Sequence, residues 1–213
     1  MNEKRISIAI DGPVAAGKTT QAKRLAEALG FLYMDTGALY RTIACYMERH
    51  GKVIADIDEV LASIDLFLER DEKGQQRMFL GMEDVTDCLR TPSISKLASD
   101  ISAVPAVREF LLDMQRAVAK EQNVVMEGRD IGTVVLPDST VKIFLTADAD
   151  IRGFRRWREM KQKGQPEDFH KVLADLADRD YNDSHREVAP LKQADDAIML
   201  DCTAVSYTHL RAH

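Results

Sequence analysis

Residues 5–20, RISIAIDGPVAAGKTT, decide the architecture of this 213-residue chain. Arg5 to Ile10 form an isoleucine-rich run that breaks off at Asp11-Gly12, as a strand buried in a parallel sheet does. GPVAAGKT, from Gly12 to Thr19, has the spacing G-x-x-x-x-G-K-[ST]. Ala22, Leu25, Ala26 and Leu29 then recur at helical spacing over 18–29, and Gly30 is placed to end that helix. Strand, glycine loop and helix in that order form a phosphate cradle. Gly12 and Gly17 let the backbone curl so that N–H groups face phosphate oxygens, and the helix adds its positive end. The candidate triphosphate segment is Gly12, Pro13, Val14, Ala15, Ala16, Gly17, Lys18, Thr19 and Thr20. Lys18 is expected on the β- and γ-phosphates and the Thr19 hydroxyl on Mg²⁺.

Outward from this stretch, strand and helix alternate. FLYMD (31–35) precedes a helix of about three turns from Thr36, and NVVME (123–127), TVKIFL (140–145) and AIMLD (197–201) are further compact apolar runs. Five such strands separated by helices predict an α/β fold with a five-stranded parallel sheet covered on both faces. Residues 66–87 break the rhythm and read as small antiparallel hairpins. Residues 148–187 read as charged helices that project from the body.

Composition narrows the function. With 45% hydrophobic and 30% charged residues, the chain is expected to be an ordinary globular protein. A net charge of −6 argues against a general nucleic-acid coat, so no nucleic-acid partner is expected. Neither a signal peptide nor an apolar run of about 18 residues is evident, so the expectation is a cytoplasmic protein without a membrane partner. Cys45, Cys88 and Cys202 are scattered and suggest neither disulfides nor zinc. Nothing demands more than a monomer. No N-K-x-D motif follows the later strands, which argues against a GTPase.

A second set of candidates lies at the carboxyl ends of the predicted strands, where open parallel sheets gather ligands. In DTGALYR (35–41), Asp35 could reach Mg²⁺ through water, Thr36 is a helix N-cap or a ligand contact, and Tyr40 and Arg41 could meet a base or phosphate. In GRD (128–130), Arg129 can grip a phosphate through two parallel hydrogen bonds and Asp130 can accept from an exocyclic amine. Between 152 and 163 stand six basic residues and one acid, Glu159, with Arg152, Arg155 and Arg156 on one helical face. Arg179, Asp183 and Arg186 share another stripe. Solvated charge is the plain alternative for these runs. A phosphate loop that needs arginine to neutralise charge in flight favours the functional reading, with Lys18, Arg129, Arg155 and Arg156 as the catalytic set. Trp157 reads as a packing residue.

GPVAAGKT, DTGALYR, VREFLL (107–112), GRDIGTVVLPD (128–138), the RxxRR of 152–156 and RDYNDSHREVAPL (179–191) together closely resemble the bacterial cytidylate kinases, P-loop nucleoside monophosphate kinases. The resemblance runs from residue 5 to about 203. It implies an ATP:CMP phosphotransferase that also takes dCMP. The implied parts are a core of 1–35, 106–147 and 188–203, a monophosphate-binding domain of 36–105 with an insert near 66–87, and a lid of 148–187. It further implies that Thr36, Ser99, Arg108 and Asp130 read the cytosine. Tyr40, Arg41, Arg129, Arg179, Asp183 and Arg186 would hold the acceptor's phosphate and sugar. Relatives continue past LD-x-T with another helix, whereas residues 204–213 here show no such apolar face and read as an atypical tail. The alternatives are a kinase of the same core acting on dTMP, UMP, AMP or shikimate, and a nucleotide-binding module without turnover.

Overall fold

The structure, a computed structural model, describes residues 5–72, 74–165 and 167–204; of the tail at 204–213, all but Ala204 lies outside the described residues. The main sheet contains β1 (Ser7–Asp11), β2 (Leu32–Asp35), β6 (Val124–Gly128), β7 (Val141–Thr146) and β8 (Ile198–Asp201). They are ordered β2-β6-β1-β7-β8 and every pairing is parallel. This is the five-stranded parallel sheet expected from the sequence.

Alternation along the central strands builds two cores. Ala9, Val124 and Met126 face the larger one, which receives Leu39, Ile43 and Met47 of α2 (Thr36–Arg49), and Val107 and Leu111 of α5 (Pro105–Glu121). Ile8, Ile10 and Val125 face the other side, where Ala22 and Ala26 of α1 (Lys18–Leu29) close the second core. Small alanines on α1 let it lie close to the strands and bring its N-terminus over their carboxyl ends. β8 is the outer strand, and Ile198, Met199 and Leu200 stay exposed on it, unlike the buried run that its composition suggests.

A separate three-stranded antiparallel sheet, β3 (Leu66–Arg70), β4 (Gln76–Leu80) and β5 (Glu83–Asp84), occupies the stretch read as hairpins. It follows α3 (Ile57–Ser63) and leads to α4 (Pro92–Ile101), which packs on α2. The charged arm is two helices, α6 (Ala149–Gln162) and α7 (Phe169–His185). They pack on each other where Gly153 meets Leu173, and Trp157 contacts Phe154 and Phe169.

Among the described glycines, Gly12 leaves the least room for a side chain. Its φ is +146°, and a Cβ there would lie 1.9 Å from the carbonyl oxygen of Leu145 on β7. Both the conformation and the contact are with backbone, so no rotamer change can relieve them. Gly12→Ala should destabilise the fold by about 3 kcal/mol, read as a lowered midpoint in urea unfolding at unchanged m-value.

Candidate active site

A cleft of about 600 Å³ opens where β1, β2 and β6 end, bounded by α4 on one side and by α6 and α7 on the other. The phosphate loop forms one end. Val14, Ala15, Gly17, Lys18, Thr19 and Thr20 line it, whereas Gly12, Pro13 and Ala16 lie behind and shape the turn. Ala15 has φ +58°, a left-handed conformation that an alanine holds only where its surroundings impose it. α1 begins at Lys18 after a left-handed Gly17 and carries no acidic residue in its first turn, which leaves its positive end to an anion.

Lys18 is buried, with Nζ donating to the Pro13 carbonyl at 2.7 Å. Burial and the nearby Arg129 push its pKa down to about 7. Two carboxylates that the sequence reading missed stand close by. Asp11, the last residue of β1, accepts from the N–H groups of Ile131 (2.8 Å) and Gly132 (2.7 Å). It therefore ties the phosphate loop to the segment after GRD, and burial raises its pKa to about 6. Glu127, at the end of β6, accepts from the Thr19 and Tyr33 hydroxyls. Burial, with Asp35 nearby, raises its pKa as well. An acidic residue closing an otherwise apolar strand, as in SIAID and NVVME, is the signal that would have found both.

The opposite end is built on Asp130. Its carboxylate is buried between Arg108 of α5 and Arg186, which follows α7. Burial raises its pKa although both arginines oppose the shift. Arg108 also donates to the Ser102 carbonyl (3.1 Å), and Arg186 donates to the Ser102 hydroxyl (3.2 Å) and the Ala189 carbonyl (2.6 Å). Ser102 is thus a third residue missed from the sequence. Ser99 and Thr36 line the same end, as does Tyr40, whose ring lies against the Arg108 guanidinium. Thr36 is not the N-cap: its hydroxyl donates to the Glu127 carbonyl (2.8 Å), and Asp35 caps α2 by accepting from Ala38 N–H (3.1 Å). A carboxylate one residue earlier in the turn meets the free amide better than a hydroxyl drawn to the neighbouring strand.

Between the two ends lies an arginine cluster. Arg129 donates to Asp183 of α7 (2.7 Å), and this bond joins the sheet to the arm. Burial and the charge of Arg129 lower Arg179 to about 10, with Arg156 and Arg41 adding to the effect. Burial opposes ionisation of Asp183, but Arg129, Arg186 and Arg179 together outweigh it and hold the carboxyl below its usual range. Asp35, in the same way, is kept low by Arg41 (2.6 Å) and Arg90 against the effect of burial.

Arg155 and Arg156 line the cleft, Arg155 bonded to the Cys202 carbonyl and Arg156 to Glu159. Arg152, expected to share their face, is buried and bonded instead to the Ala147 carbonyl, the Val14 carbonyl and Asp180. A fully engaged guanidinium of this kind secures the arm to the phosphate loop.

A phosphate loop and a second polar pocket sharing one arginine-lined cleft place the molecule among the P-loop phosphotransferases that bring two nucleotides together. The family model of cytidylate kinase matches residues 8–212. A cytidylate kinase of Streptococcus gordonii is 44% identical over 98% of this chain and 94% of its own length. Those of Streptococcus agalactiae serotype V and Streptococcus pyogenes serotype M1 are 46% and 47% identical over 94% and 95% of the chain, and 90% and 91% of their own lengths. The chain belongs to the cytidylate kinase family. A solved shikimate kinase from Bacteroides thetaiotaomicron is a more distant likeness, at 16% identity and a TM-score of 0.47 over 97% of this chain and 93% of that one. Among the described residues, no helix is long and apolar enough to cross a membrane.

Because Lys18 sits near pH 7 in the free protein, a phosphate chain brought against it should restore its proton. ATP binding at pH 8.5 is expected to take up about one proton, seen as a dependence of the calorimetric binding enthalpy on the buffer's ionisation heat. Lys18→Met should abolish that dependence. The folding linkage of the free protein has opposite signs for the two groups. Lys18, depressed on folding, makes stability rise with pH between about 7 and 10.5. Asp11, raised on folding, makes it fall between about 3.8 and 6.

Proposed function

We propose that this protein transfers the γ-phosphoryl group of ATP to CMP and dCMP, giving ADP and the nucleoside diphosphate. The observation that carries the reading is the Arg108–Asp130–Arg186 group at the far end of the phosphate-loop cleft. Two fixed guanidiniums hold Asp130 in place beside Ser99 and Thr36. A pyrimidine there can give its exocyclic amine to the carboxylate and accept from Arg108 or Ser99, which favours cytosine over uracil. Tyr40, Arg41, Arg129, Arg179, Asp183 and Arg186 take the acceptor's phosphate and sugar.

The nucleophile is a phosphate oxygen of the acceptor. A phosphate monoester has a second pKa of about 6, so it is already ionised at neutral pH and no general base is required. The O–P bond to the acceptor forms as the bond from γ-phosphorus to the bridging oxygen breaks, and ADP leaves with that electron pair. Catalysis then rests on alignment and charge. The phosphate-loop amides and Lys18 hold the donor. Arg129, Arg155 and Arg156 stabilise the equatorial oxygens of the transferring group, and α6 and α7 close to exclude water that would otherwise take the phosphoryl.

The hard oxygens of Thr19 and, through water, Asp35 suit Mg²⁺, and Glu127 is placed to orient the Thr19 hydroxyl. Among the described residues, no group of three His, Cys, Asp or Glu side chains gathers. When bound, the ion neutralises phosphate charge. The reading is of a cytoplasmic monomer.

ADP release from MgATP, measured with CMP, dCMP, UMP, AMP, dTMP and shikimate offered separately, tests the assignment. CMP and dCMP should exceed the others in kcat/KM by about 10-fold or more; preference for another acceptor would overturn the cytosine reading. Asp130→Asn should raise KM for CMP about 10- to 100-fold while the Kd for ATP stays within twofold. Equal losses for both nucleotides would remove Asp130 from base recognition.

A further inference from the structure

Among the described residues β2 is an edge strand of the main sheet, paired with β6, so its outer backbone groups need partners from elsewhere. They find them in the side chains of the small antiparallel sheet. The Gln76 carboxamide meets the backbone of Asp35 at two points: Oε1 accepts from the Asp35 N–H (2.8 Å) and Nε2 donates to the Asp35 carbonyl (3.1 Å). Arg70 Nη2 donates to the Tyr33 carbonyl (3.0 Å), two residues back along the same edge. Arg70 and Gln76 stand directly opposite each other across β3 and β4. One cross-strand pair therefore completes the ladder of a strand in a different sheet.

Asp35 is the residue through which that contact reaches the cleft. Its carboxylate caps α2 through Ala38 N–H and holds Arg41 at 2.6 Å, and Arg90 lies 3.6 Å away. The space between Asp35 and Arg41 is tight. A Cβ at Gly37 would lie 2.9 Å from Arg41 Nη1 and 3.1 Å from Asp35 Oδ1. A small rotation of the Asp35 peptide would swing the carboxylate and carry Arg41 and the start of α2 with it.

We infer that Gln76 is a positioning residue for the acceptor phosphate, clamping the Asp35 peptide so that Asp35 presents Arg41 to the cleft. The small sheet then acts as a gauge for the acceptor end, while the phosphate loop, on the far side of β6, is set independently. The kinetic part of this inference rests on the CMP reading; the geometric part does not.

Gln76→Met keeps the length of the side chain and removes both hydrogen bonds. It should raise KM for CMP about 10-fold, with KM for ATP within twofold. Phe79→Leu serves as the control. It weakens the Phe67–Phe79 stack (centroids 5.0 Å apart), which lies on the face of the small sheet opposite Gln76. It should lower Tm at least as much as Gln76→Met yet leave both KM values within twofold. Hydrogen exchange on the substrate-free protein gives a readout that does not depend on CMP being the acceptor. Amides 36–39 should exchange about 10-fold faster in Gln76→Met than in the wild type, with those of β1 and β6 unchanged. Unchanged exchange at 36–39 would overturn the clamp, as would KM shifts that track Tm in both variants. If the wild type fails to use CMP, the proposed function falls, and the exchange comparison still decides the role of Gln76.

Discussion

Cations crowd the cleft, and that crowding is the constraint around which the rest of the structure is arranged. Lys18, Arg41, Arg129, Arg156 and Arg179 line one partly enclosed cleft, where like charges repel more strongly than on an open surface. The fold holds them with carboxylates set among them: Asp35 for Arg41, Asp183 for Arg129, and Asp130 between Arg108 and Arg186. Each pair is fixed at a strand end or helix end, so its geometry is set by the backbone. The balance remains positive where phosphates would lie, although the chain as a whole carries −6. Local convergence, not overall charge, creates the anion site.

The same pairs also do mechanical work. Arg129 leaves the end of β6 and bonds Asp183 on α7, so the sheet and the arm are joined through the site itself. Arg152 makes a second joint, from α6 to the Val14 carbonyl in the phosphate loop and to Asp180 on α7. Buried pairs of this kind add little net stability, because desolvation offsets most of the attraction. Their value lies in direction: a guanidinium with several fixed acceptors has one position, and a helix that carries it inherits that position. Asp11 acts likewise, holding the segment after GRD at a set distance from the glycine loop.

What the sequence disclosed and what it withheld separate along chain distance. The phosphate loop was legible because its parts are neighbours within nine residues, and α1 begins and ends where the spacing and Gly30 place it. The sheet was legible because buried parallel strands are nearly continuous apolar runs. Gln76 was not, since its partner is 41 residues away and nothing in QQRMFL marks a residue that completes another sheet. Asp11 and Glu127 were passed over as strand ends, because burial and partners 120 and 94 residues away give them their meaning. Arg152 misled for the opposite reason. It shares a helical face with Arg155 and Arg156, but the base of α6 is sunk against the phosphate loop, so the first of the three is enclosed and the other two line the cleft.

The perturbed groups at the donor end also bear on the kind of chemistry this site can support. In many enzymes, a carboxyl raised to about 6 or an amine lowered to about 7 marks a general acid or base. Here the geometry argues otherwise. Both oxygens of Asp11 are occupied by backbone N–H groups, and Lys18 Nζ is buried against the loop carbonyl of Pro13. Neither is arranged to exchange a proton with a group at the Asp130 end. A phosphate nucleophile arrives already ionised, so the site is free to spend its titratable groups on holding charge. The shifts are then what burial does to fixed ions whose counter-charge comes with the substrate. On the proposed reaction, a site built this way is preorganised for charge that moves from donor to acceptor once α6 and α7 have closed.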